Sequence, residues 1–375
     1  MHRILLLIDW FYPAYKAGGP IQSCYNLVHF FEDDYQFDVL TSNHDLDKND
    51  LLDVTSNEWT SINPNTQVYY NSGTTYSISN QNYNAIYLNF FLSHQFSLFT
   101  LRQIKQKNNN TKFIIAPRGM LQAGALKVRT LRKRIYIHFF KLLRLHKNVH
   151  WHATDEQEKE DIYQHFGKKC KVTVAPNIPN TNQYLKKDIT KSKGRIKLVS
   201  ISLITLKKGL KYILQLFNDV HFPVEYDIYG PIKDQPYWHA CQKIIEQLPP
   251  HIKVRYRNSI KPDEFHKLIS KYHFFVLPTD GENFGHAIYQ ALNSWRPVLI
   301  SDQTPWKNLQ LNKAGWDLPL QDPNKWASIL YRCYEMEQAE YDQLCEGAHK
   351  VARDYVEQAN YREQYRELFS REMRE

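Results

Sequence analysis

Apolar residues along this chain gather in short, nearly unbroken runs, and between the runs they return every three or four positions. Residues 3–9, Arg-Ile-Leu-Leu-Leu-Ile-Asp, have the continuous apolar character of a strand buried on both faces in a parallel sheet. Similar runs predict strands at residues 38–41, 85–88, 112–116, 150–153 and 171–175, with helical stretches between several of them. A polar, lysine-rich interval ending at Gly194 breaks the alternation and reads as a linker over residues 179–194. The pattern resumes at residues 195–201 and continues through 225–229, 253–256, 274–277 and 297–300. This alternation predicts an α/β protein of two doubly wound, Rossmann-like domains facing each other across a cleft. Their expected extents are 1–178 and 195–350, with residues 351–375 forming a helix that packs back toward the first domain.

Length and composition agree with two domains, since 375 residues of this aromatic, moderately apolar make-up can bury a core in each. The longest apolar run, Ile4 to Ile8, is far below the roughly 20 residues of a membrane span, and the start lacks the features of a signal peptide. A cytoplasmic protein is expected. Five cysteines without ligand spacing point to a reduced compartment, with no metal centre expected. Asp45-Leu46-Asp47 imitates an acid-x-acid metal motif, yet its Asn/Asp-rich surroundings read as a solvated turn.

The net charge of +9 changes the picture, because much of it falls in one segment. Residues 127–147 interleave bases with Leu131, Ile135, Phe139, Leu142 and Leu143 at helical spacing. Two readings stay open for this basic amphipathic helix. It packs on its own domain with a solvated basic face, or it meets an anionic membrane surface or a diphosphate-bearing lipid substrate. Nucleic acid is not expected as a partner, because no recognised module accompanies the helix.

Candidate chemistry concentrates between Leu277 and Trp306. An apolar strand there runs into a loop carrying Glu282, Asn283, Phe284 and Gly285, then a helix from about His286, then another strand. At the carboxyl end of a parallel strand, such a loop aims the free N–H groups of the next helix at the crevice, which favours a phosphate.

Four pieces in order, Gly18-Gly19-Pro20, Pro117-Arg118-Gly119-Met120, Lys208-Gly209 and Glu282-Asn283-Phe284-Gly285, give the chain a specific likeness. Together they resemble the retaining glycosyltransferases of family 4, which have the two-domain GT-B fold. The resemblance implies transfer of a sugar from a nucleoside-diphosphate sugar to a glycan or polyprenyl-diphosphate-linked acceptor, without a metal or other cofactor, in surface polysaccharide synthesis. By similarity Lys208 reaches the diphosphate; a solvated lysine is the alternative. Gly18 and Gly19 let backbone approach the phosphate, or simply form a tight turn. Glu282 matches the first acid of the family's glutamate pair and would hold donor-sugar hydroxyls, unless it only caps the helix. Asn283, Phe284, Gly285 and His286 complete the expected donor-binding loop.

Two positions depart from the family pattern. The second acid is replaced by Gln290, whose carbonyl can still accept a ribose hydroxyl, and the arginine usual five residues before Lys208 is Leu203. Arg118 is a candidate replacement cation; its alternative is a structural arginine buried against Glu158. These departures favour a second reading, a catalytically weak nucleotide-sugar-binding or scaffold protein of the same fold.

Overall fold

The structure is a computed structural model that describes residues 1–73, 82–93, 111–122, 130–147 and 149–370. The chain divides into two compact units, Met1–Ile178 with Ala359–Glu375, and Pro179–Gln358.

In unit 1 the strands are β1 (His2–Leu7), β2 (Tyr35–Ser42), β3 (Trp59–Asn63), β4 (Thr66–Asn71), β5 (Ala85–Asn89), β6 (Lys112–Ala116), β7 (Val149–Ala153) and β8 (Lys171–Val174). Among the described residues they form one sheet in the order β3-β4-β2-β1-β5-β6-β7-β8. All neighbours pair in parallel except β3, an antiparallel edge strand on β4. Ile4, Leu5, Leu6 and Leu7 are all buried, so β1 has no face to offer water and takes a central place. The β3–β4 hairpin was not among the predicted strands, because its residues alternate partly exposed and polar positions in a short, weakly apolar stretch. Helices α1 (Gly19–Phe30), α2 (Thr130–Leu142) and α3 (Glu156–Phe166) connect the strands.

Unit 2 has β9 (Lys197–Ile201), β10 (Val224–Tyr229), β11 (Ile252–Tyr256), β12 (Phe274–Leu277), β13 (Val298–Ser301) and β14 (Gly315–Leu318). Their order, β11-β10-β9-β12-β13-β14, is wholly parallel and reverses between β9 and β12. That reversal is the topological switch point at which an open α/β sheet leaves a crevice. The helices are α4 (Leu210–Leu216), α5 (Gln235–Gln247), α6 (Phe265–Ile269), α7 (His286–Asn293), α8 (Pro323–Glu335) and α9 (Gln338–Gln358). Among the described residues no helix is long and apolar enough to cross a membrane.

Three expectations change against the structure. Residues 179–194 contain no helix or strand, yet they are a fastened strap of unit 2. Asn293 Nδ2 donates to Asn182 O, Trp295 Nε1 to Tyr184 O and an Arg296 guanidinium nitrogen to Lys187 O, at 2.7–2.8 Å. Tyr184 also stacks on His266 with ring centroids 4.2 Å apart. The segment's polar side chains suggested a free linker, but it is held by backbone carbonyls, which side-chain pattern does not report, and by buried Lys191, whose Nζ donates to Tyr334 O and Met336 O at 3.2 and 2.7 Å.

The terminal expectation also shifts, since the helix expected over residues 351–375 is two. Residues up to Gln358 belong to α9 of unit 2, and α10 (Tyr361–Phe369) belongs to unit 1. There Tyr365 and Phe369 meet the rings of Phe31 and Tyr35, and Tyr365 Oη donates to Pro176 O.

Thirdly, the five apolar residues read from the basic segment do not form its packed side. Leu131, Ile135, Phe139, Leu142 and Leu143 are exposed, while Ile137 and Phe140 enter the core. Residues 127–129 lie outside the described residues.

Candidate active site

Unit 2 brings Lys208 and Glu282 together, although 74 positions separate them in sequence. Lys208 follows β9 and Glu282 follows β12, the two strands that flank the switch point. Lys208 Nζ donates to Glu282 Oε1 at 2.5 Å, and both side chains keep some exposure.

Backbone packing sets this meeting. After β9 the chain makes a 3₁₀ turn, Leu206–Lys208, closed by Gly209 with φ 71°. A Cβ on Gly209 would lie 1.8 Å from Pro278 O, so only glycine lets the two loops touch here. Thr279 Oγ1 and Asp280 N then both donate to Lys207 O, at 3.0 and 2.8 Å. From the other side Ser301 Oγ donates to Thr279 O, and Glu282 N donates to Gln303 O at 3.1 Å. The carboxylate is thereby fixed by its own backbone before Lys208 reaches it.

The rest of the loop is anchored by aromatic packing. Phe284 is buried beside Trp306, whose Nε1 donates to Phe284 O at 2.6 Å. Gly285, with φ 82°, turns the chain into α7, and no side chain caps that helix. Glu282 is therefore not its cap. His286 is buried against the Phe284 ring, while Asn283, Gln290 and Leu203 are half-buried. The uncapped N–H groups of α7 and the ammonium of Lys208 make this corner suited to an anion.

Unit 1 has a comparable corner outside β1. Gly18, with φ 75°, precedes α1, which also lacks a side-chain cap. The loop before it is clamped by Asp45, which accepts from Tyr15 N and Lys16 N at 2.9 and 3.1 Å and from Leu46 N at 2.8 Å. Asp45 is 2% exposed, so the solvated turn read at this acid is corrected. No local signal could have revealed it, because the loop it holds lies 29 and 30 residues earlier.

Arg118 stands at the end of β6, fastened to three neutral side chains. Its Nε donates to Asn89 Oδ1 at 2.7 Å, Nη2 to Tyr87 Oη at 2.8 Å, and Nη1 to Asn177 Oδ1. The chain of bonds continues from Tyr87 Oη to His152 Nδ1 and from His152 Nε2 to Ala175 O, each 2.7 Å. A carbonyl only accepts, so Nε2 carries the imidazole proton and Nδ1 accepts from the tyrosine. Burial, with Arg118 nearby, holds the His152 pKa well below its usual value. Glu158 is not the arginine's hydrogen-bond partner. Its carboxylate accepts from Gly119 N and from Thr154 N and Oγ1, and burial raises its pKa.

These sheets and sites define a class. Sucrose-phosphate synthase from Thermosynechococcus elongatus superposes with a TM-score of 0.74 at 16% identity, covering 98% of this chain and 99% of that one. Anabaena HepE in complex with UDP-glucose gives 0.67 at 13%, covering 98% and 99%. A mutant of S. aureus TarM in complex with fondaparinux, alpha-GlcNAc-glycerol and UDP gives 0.67 at 11%, covering 99% and 100%. The fold is GT-B. Residues 182–326, which contain the Lys208–Glu282 pair, match the family model of glycosyl transferases group 1. The chain is thus a glycosyltransferase carrying a group 1 domain. Comparison with the curated proteins finds no match.

Proposed function

We propose that the protein is a retaining, metal-independent glycosyltransferase that moves a sugar from a nucleoside-diphosphate sugar to a glycan or polyprenyl-diphosphate-linked acceptor, in surface polysaccharide synthesis at the inner membrane face. The observation that carries this reading is the contact between Lys208 and Glu282 at the switch point of unit 2, beside the uncapped start of α7.

The pair has a chemical logic for glycosyl transfer. When the bond from the anomeric carbon to the diphosphate breaks, its electron pair leaves on phosphate oxygen. Lys208 and the α7 N–H groups stand where they would stabilise that charge as it grows. The acceptor hydroxyl then bonds to the anomeric carbon and its proton passes to the departing diphosphate. Glu282, freed from Lys208 as the lysine turns to phosphate, accepts two sugar hydroxyls and favours positive character at the sugar ring. HepE and TarM are recorded with UDP-glucose and UDP respectively, which makes uridine donors the first to try.

The test is release of nucleoside diphosphate from UDP-, GDP- and ADP-sugars, with and without a chelator, followed by thermal unfolding with each nucleotide. One donor is expected to turn over regardless of chelator. Glu282→Gln should slow that turnover about 100-fold or more while the nucleotide still raises the unfolding midpoint. A nucleotide that stabilises the wild-type chain without any turnover would select the scaffold reading, which Leu203 and Gln290 favour.

A further inference from the structure

Helix α2 presents apolar side chains in two directions. Ile137 and Phe140 face inward, and the Phe140 ring lies 4.9 Å from Phe91 and 5.9 Å from Phe166. The second set, Leu131, Ile135, Phe139 and Leu142, remains 73%, 46%, 47% and 64% exposed. Its spacings of four, four and three place these residues in one stripe about 80° wide on a helix of 3.6 residues per turn. Leu143, also exposed, extends the stripe past the helix end.

Cations border this stripe. Arg134, Lys141, Arg144 and Lys147 are all exposed. Residues 59–154, which include the helix, contain no Asp or Glu and carry thirteen Lys and Arg. A row of large side chains in water is unfavourable unless something covers it. Whatever covers this one must be apolar beneath and anionic at its rim. An acid-free stretch this long matches a broad anionic surface better than a local acidic groove on a protein.

We propose that the outer face of α2 docks unit 1 on an anionic phospholipid surface. Leu131, Ile135, Phe139 and Leu142 enter the boundary between headgroups and acyl chains, and the four bases meet lipid phosphates. The inference deepens the membrane-face element of the proposed function, but it rests on residues of unit 1 alone and needs neither Lys208 nor Glu282.

Co-sedimentation of the full chain with vesicles tests it, using phosphatidylcholine with and without roughly 30 mol% phosphatidylglycerol. The wild-type chain is expected to bind the anionic vesicles and to leave the neutral ones largely free. The double variant Ile135→Gln with Phe139→Gln should weaken binding about tenfold, and Arg134→Gln with Lys141→Gln should abolish most of the preference for phosphatidylglycerol. Both variants change only exposed side chains, and nucleotide-induced thermal stabilisation checks that unit 2 is intact. That readout also separates failure of docking from failure of the proposed activity. Absence of wild-type binding overturns the inference. So does binding by Ile135→Gln with Phe139→Gln that equals the wild type, since adsorption would then need charge alone. A dimer in sedimentation velocity that Phe139→Gln dissociates, without vesicle binding, would assign the face to a second copy instead.

Discussion

Arg118 illustrates how one side chain can be expected for chemistry and prove to be tied into the fold. The motif around it suggested a spare phosphate ligand, yet three of its nitrogens are spent on Asn89, Tyr87 and Asn177. These partners come from β5 and from the chain after β8, so the guanidinium ties the adjacent strands β5 and β6 to a segment that leaves the sheet's far edge. Removing it would leave buried acceptors without donors, and Asn89 Nδ2 already lacks a partner among the described residues. Arg118→Ala is therefore expected to destabilise unit 1 by about 2–4 kcal/mol, read as a lower urea midpoint. An unchanged midpoint with lost turnover would return the residue to the chemistry. Lys208 and Glu282 were each singled out by the family resemblance, although their contact with one another was not foreseen. Both residues follow strands whose apolar runs were clear, and the parallel order makes the ends of such strands converge. Asp45 was not legible, because what it binds is backbone of a remote loop.

At the scale of elements, the strap over residues 179–194 shows how strongly irregular chain can be held. His273 Nε2 meets Thr190 O at 3.2 Å, and His273 Nδ1 accepts from Lys197 N at 3.0 Å. Burial pushes the His273 pKa down to about 4. The unfolded chain therefore binds a proton near pH 6.5 that the folded chain refuses until about pH 4. Stability from this residue is complete above the unfolded pKa and falls as the pH drops through that window, by roughly 3 kcal/mol in all. Urea unfolding at a series of pH values should show the decline, and His273→Gln should flatten much of it. His266 and His349 have pKa values lowered by burial as well, so part of the slope should survive. Helix α2 adds a lesson about periodicity. Its two apolar sets, at 131/135/139/142 and 137/140, both have helical spacing, and only the presence of Phe91, Trp151 and Phe166 beside one of them decides which is inside.

For the whole molecule, the two doubly wound sheets and the return of the last helix to the first domain were read from the sequence, while the order of the strands and the break after Gln358 that splits the terminal helix were not. Unit 1 depends on α10, which buries Tyr361, Tyr365, Leu368 and Phe369. Glu367 adds polar ties, accepting from Thr173 Oγ1 at 3.2 Å through its carboxylate and from Lys112 Nζ at 3.3 Å through its carbonyl. Deleting residues 359–375 is expected to uncover Phe31 and Tyr35 and to make unit 1 sensitive to limited proteolysis, while unit 2 resists. Equal resistance of both units would show that α10 contributes little.

The same helix has a consequence for biosynthesis. A ribosome makes residues 1–178 first, then all of unit 2, and only afterwards the segment that closes the first sheet's aromatic core. The unit begun earliest must therefore wait longest, with Phe31, Tyr35 and Tyr87 lacking their final cover. Unit 2, continuous in the chain, can mature while its predecessor is still unfinished. For the length of that wait the nascent protein is a natural client for chaperones, and the earlier half is completed only after the later one has been made.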